Sequence, residues 1–237
     1  MSDVSHTNPN IGRVAGLYFA GVLALIMIAG EAAFLAFDWP HFLRGSPTEI
    51  LTTLHPRVGL VFISYYLWMI AFLAFIAVPV LTWRAASHPA SVIGMVAVPF
   101  GCLAGLCHAI GPARWVFVVP TLAADFHAEG ISQEARDAIL IAFGSINQFG
   151  GEMIGEHIAN LLRGVWTCLL SLSLVETLPS YLRPIGLLAA LCVIIASLEQ
   201  LGGPFAGLLS SLSAIQFVWL VWGVVLSITL VRSKRTV

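Results

Sequence analysis

Charge is what this sequence has least of. Only 10% of its 237 residues are Asp, Glu, Lys or Arg, against roughly 25% in a typical soluble domain. A water-facing surface could not be built from so few. Net charge is −1 with no basic block, which excludes the electrostatic footprint of a nucleic-acid partner. Cysteine is scarce as well: Cys102, Cys107, Cys168 and Cys192 all lie in apolar runs and none forms a Cys-x-x-Cys pair. That favours four small packing thiols over a disulfide or metal role. Catalytic signatures are missing too. There is no Gly-x-Ser-x-Gly elbow, no phosphate-binding glycine loop and no His-Glu-x-x-His, so no catalytic residue or reaction can be named.

What the chain has in abundance is apolar side chain, 59% of it. The surplus is accommodated if lipid is the surrounding solvent. About 20 helical residues cross ~30 Å of hydrocarbon. On that measure the sequence predicts an all-α, polytopic bundle of six transmembrane helices, at about 14–37, 58–83, 91–111, 152–175, 181–201 and 213–231. These make one integral membrane domain over 1–237. The polar stretch Asp38 to Pro56 reads as a loop, Pro112 as a kink or an end, Trp115 to Ala124 as an interfacial segment with an aromatic anchor, and Gly150-Gly151 as a hinge. Asp3 and Arg13 are the charges of the first thirteen residues, and the apolar run after them is too long for a cleaved leader, so it reads as an uncleaved first span.

With six spans both termini share a side. Arg13, Arg84, Arg183, Arg232, Lys234 and Arg235 collect there, against Arg44, Arg57, Arg114 and Arg136 opposite. By the positive-inside rule this predicts cytoplasmic termini in the cell inner membrane. Ala97, Gly101, Gly105 and Ala109 recur every four residues in the third span, and Gly151 and Gly155 in the fourth. Such small-residue stripes let helix backbones approach closely in lipid.

Ionisable side chains inside spans cost about 2.5–3.5 kcal/mol each on insertion scales and so need partners. Those present are Glu31, His108, Glu152, Glu156, His157, Arg163 and Glu199, with His55, Arg57, Arg114 and Gln216 at span ends. Counting residues along each helix puts nearly all of them toward the outer leaflet, which points to one shared polar site. At 100° per residue Glu152, Glu156 and Arg163 fall on one face with Asn160 beside them. Arg163 is therefore expected to bond Glu156, Asn160, or a carboxylate such as Glu31 or Glu199. The Glu-x-x-His spacing of di-iron bundles is not met, because Gly155 stands three residues after Glu152. Haem between His108 and His157 is a geometric option without a recognisable ligation motif.

Three segments carry a family resemblance: Arg13-Val-Ala-Gly-Leu-Tyr18, Leu161-Leu-Arg-Gly-Val-Trp166 followed by Leu182-Arg-Pro-Ile-Gly186, and Trp219-Leu-Val-Trp222-Gly223. They resemble the bacterial integral-membrane family of unknown function numbered 4386, which implies a six-helix membrane domain over nearly the whole chain and implies no activity. Three functions stay open. One is a protein whose outward polar cluster (Glu31, His108, Arg114, Glu152, Glu156, His157, Arg163, Glu199) binds or moves a proton, cation or small polar solute. Another is a membrane redox protein with haem or metal. The third is a structural partner in a homo-oligomer or larger membrane complex.

Overall fold

The structure is a computed structural model that describes residues 10–37, 45–88, 91–175, 178–202 and 212–233. Among them every regular element is a helix; one isolated bridge joins Ser87 and Leu174. The elements are α1 (Ile11–Phe37), α2 (Pro47–Leu54), α3 (Val58–Phe75), α4 (Ala77–Ala86), α5 (Val92–Phe117), α6 (Val119–Phe126) and α7 (Gln133–Ile146). A π-helix (Asn147–Ile158) follows, then α8 (Ala159–Ser173), α9 (Leu182–Ser197) and α10 (Leu212–Arg232). Each of the six expected spans has its helical segment: α1, α3 with α4, α5, the π-helix with α8, α9, and α10. Four continuous apolar segments, Ile11–Ala36, Pro47–Ala86, Val92–Phe126 and Leu182–Leu201, are long enough to cross a membrane.

The distribution of side chains identifies the solvent. Small residues such as Ala29, Ala33, Ala104 and Ser171 are buried beside large ones such as Trp166 and Leu170, yet Leu17, Ile28, Ile63, Val92, Leu103, Leu188, Leu191 and Phe217 are exposed, and Leu35 is 80% exposed. An apolar exterior on this scale is costly in water and stable in lipid. The protein is membrane-embedded.

Local structure adds to the sequence reading at four places and corrects it at some of them. Much of the polar stretch before Pro56 is helical: Ser46 caps α2, accepting from the Glu49 backbone N–H at 3.3 Å while the Glu49 carboxylate accepts from the Ser46 N–H at 2.7 Å. This reciprocal pair satisfies two donors that a helix start leaves open. Next, α5 runs through Pro112 to Phe117, losing one ladder bond where proline has no N–H. Trp115 is a core residue, 1% exposed, rather than an interfacial anchor. Finally, Gly150-Gly151 lies inside the π-helical stretch of a helix that continues from Gln133 to Ser173.

Two compact units divide the chain at 23/24, 73/74, 104/105 and 159/160. Neither is a continuous stretch, so they interleave along the sequence instead of following one another as domains. The unit formed by 24–73 and 105–159 has an apolar core of Ile50, Leu51 and Leu54 from α2 with Trp115, Val119, Ala123, Phe126 and Phe143. Trp115 stacks on Tyr65 at 5.1 Å and meets the edge of Phe143 at 6.2 Å.

The unit that holds 74–104 and 160–237 with the first 23 residues is built around an aromatic cluster. Phe19 and Phe75 both approach Trp166 edge-on, at 6.3 and 5.3 Å, and Trp166 meets Trp222 at 6.0 Å. Gly101, in the expected small-residue stripe, lies where a Cβ would overlap Pro79. Close helix approach, rather than a cofactor, accounts for that glycine.

Candidate functional site

In the unit formed by 24–73 and 105–159, a chain of polar contacts starts at Arg114, near the end of α5. The residue is 7% exposed. Nε and Nη2 donate to Asn147 Oδ1 at 3.2 and 3.0 Å, and Nη1 donates to the Gly111 carbonyl at 2.6 Å. The cation also lies 5.4 Å from the Trp115 ring centroid, close enough for a cation–π contribution. Asn147 then turns its amide to the next residue in line: Nδ2 donates to Glu152 Oε1 at 3.2 Å. A buried cation and a half-buried carboxylate are thus joined through one neutral side chain.

The π-helix makes this relay geometrically available. Asn147 and Glu152 are five residues apart, a spacing that an α-helix splays by about 140° at 3.6 residues per turn. The wider i→i+5 winding brings such residues back onto one side. Glycine is needed where this winding meets α5. A Cβ on Gly151 would overlap the Arg114 guanidinium, and one on Gly155 would stand 2.7 Å from Gly111 Cα. The two backbones therefore touch, and the guanidinium fills the space over Gly151.

The other expected residues fall as follows. His108 is 8% exposed and stacks on Phe72 at 4.6 Å with 17° between ring planes. Glu156 and His157 are half-buried on the π-helix, and Glu31 is exposed on α1. Six expected residues thus share this unit: Glu31, His108, Arg114, Glu152, Glu156 and His157.

Arg163 and Glu199 belong to the other unit. Of the partners expected for Arg163, Asn160 is in place, accepting from Nη2 at 2.7 Å. The guanidinium lies 4.6 Å from the Trp219 centroid. Trp219 Nε1 donates to Thr167 Oγ1 at 2.9 Å, and that hydroxyl donates to the Arg163 carbonyl at 2.8 Å. Glu199 is half-buried in a 3₁₀ turn after α9. Gln216 lies outside the residues whose side chains are described.

Asn147 is the site residue that sequence reasoning missed. An amide five residues before a carboxylate, across a Gly-Gly pair, was the available signal; α-helical phasing hid it. Among the described residues no group of three or more His, Cys, Asp or Glu side chains is arranged to hold a metal ion.

A family model described as a domain of unknown function (DUF4386) matches residues 18–231. No curated protein and no solved structure matches the chain.

Proposed function

The chain belongs to the DUF4386 family, whose description carries no activity, and we propose that it binds or moves a proton, a cation or a small polar solute through the Arg114–Asn147–Glu152 relay. One observation carries the reading: a 7%-exposed arginine is linked by an amide to a half-buried glutamate on a π-helix. Ionisable groups in apolar surroundings are expensive to keep, and π-helical turns occur frequently at functional sites.

Glu152 is the group that changes state. A bound proton, cation or amine competes with Asn147 for its oxygens. Such binding alters the hydrogen bond through which Asn147 holds Arg114. The basic tail supports a reading with both termini in the cytoplasm and this site toward the outer face of the inner membrane. No specific observation favours the haem or metal reading.

A binding panel tests the proposal. Purified protein in detergent is melted against small amines, small carboxylates, alkali cations and pH. At least one condition should raise the melting temperature of wild type and fail to do so for Glu152→Gln. If every condition acts equally on both proteins, the relay is a structural network and the membrane-partner reading takes its place.

A further inference from the structure

A second candidate site lies in the unit built on the aromatic cluster. The turn that leads into α9 and the end of α10 line an open groove of about 420 Å³, within the few-hundred to 1,000 Å³ range of small-molecule sites. Val225, Ile228, Thr229 and Arg232 line it from α10, at the i, i+3, i+4 and i+7 spacing that puts residues on one helix face. Leu178, Pro179 and Tyr181 line the opposite side. The groove is therefore apolar along Val225, Ile228, Leu178 and Pro179, and polar at one end, where Thr229, Arg232 and Ser233 stand.

That polarity follows the membrane. The apolar run of α10 ends at Val231, so Arg232 marks the boundary between hydrocarbon and headgroup. Tyr181, 50% exposed, belongs to the residue type enriched at that depth. Ile228 is 46% exposed, leaving the floor open to an acyl chain. Arg183, two residues beyond Tyr181, is engaged with the Leu174 carbonyl at 3.2 Å, whereas no carboxylate among the described residues bonds Arg232. The adjoining sequence adds Lys234 and Arg235 against one acid, Glu176. We propose that this groove is a binding site for an anionic phospholipid, with Arg232 and Ser233 taking the phosphate and the Val225–Ile228 face taking the upper acyl chain.

The test uses the full chain, delipidated in a mild detergent and titrated with phosphatidylglycerol, phosphatidylcholine or inorganic phosphate. Native mass spectrometry counts the bound lipid and melting curves follow stabilisation. Phosphatidylglycerol should be retained over phosphatidylcholine by roughly fivefold or more, the contribution of about one basic residue near an anionic surface. Arg232→Gln should abolish that preference, and Ile228→Trp, which fills the floor, should displace both lipids from a protein that still melts cooperatively. Equal retention of the two lipids would overturn the proposal. So would equal stabilisation by inorganic phosphate, or a preference that survives Arg232→Gln and disappears only when Lys234 and Arg235 are both replaced by Gln. Failure of any of these leaves the relay proposal untouched, since Glu152 and the groove share no residue.

Discussion

Replacing Asn147 with leucine keeps the approximate size of the side chain and removes both of its hydrogen-bonding ends. Two guanidinium N–H groups, at 3.2 and 3.0 Å, lose their acceptor, and Glu152 loses a donor at 3.2 Å. Arg114 is left buried with the Gly111 carbonyl as its one remaining described acceptor. A hydrogen bond to a charged group contributes about 1.5–3 kcal/mol, and truncating one partner of a buried ionic set costs about 3–5 kcal/mol. Asn147 is neutral and the two Arg114 N–H donors share its one oxygen, so the lower end applies: about 3 kcal/mol of destabilisation for Asn147→Leu. Arg114→Met removes the charge that makes the loss expensive. The double variant should therefore be more stable than the sum of the single losses, by about 1.5–3 kcal/mol of coupling. Reversible unfolding in mixed detergent micelles, followed by far-ultraviolet circular dichroism, measures all four corners of the cycle. Additivity within about 0.5 kcal/mol would refute the reasoning, because it would mean that the amide and the guanidinium do not depend on each other.

Other consequences are local. Gly155→Ala drives a methyl into the α5 backbone at Gly111 and should destabilise by about 1–3 kcal/mol. Gly150→Ala, where a Cβ meets nothing within 4 Å, should be neutral or stabilising by up to about 1 kcal/mol; thermal melts of the pair check the contrast. Thr167→Val strands the buried Trp219 indole N–H and should cost about 1–3 kcal/mol, with a shift in tryptophan emission as the second readout. Reporter fusions at the C-terminus and within 125–137 should report opposite sides of the membrane, the C-terminus in the cytoplasm; the reverse result would turn the relay toward the cytoplasm.

The long helices were legible because their signal is bulk apolar length, which needs no partner to be read. Ile11–Phe37 and Val92–Phe117 are apolar on nearly every side, as lipid permits. Other elements answer to neighbours. Pro47–Leu54 and Gln133–Ile146 are short amphipathic helices whose inner faces meet a core that no single segment reveals. The Ser46-Pro-Thr-Glu49 spacing did carry a capping-box signature, and it was the one local clue to α2. At the site, Glu152 and Arg114 stood out in the sequence because charge is conspicuous in an apolar chain. The amide between them did not. Its role depends on a change of helical winding between 147 and 158, and phasing the chain at 3.6 residues per turn turns Asn147 away from Glu152.

Transport through the relay is tested most directly in vesicles. Protein reconstituted into liposomes with a trapped pH-sensitive dye is exposed to a potassium diffusion potential. Proton entry is followed first alone and then with each solute that stabilised the wild type in the binding panel. Wild-type vesicles should acidify faster than empty ones in at least one condition, and Glu152→Gln vesicles with equal protein content should match the empty control. Wild-type and Glu152→Gln vesicles that acidify at the same rate in every condition would contradict a role for Glu152 in moving charge or solute.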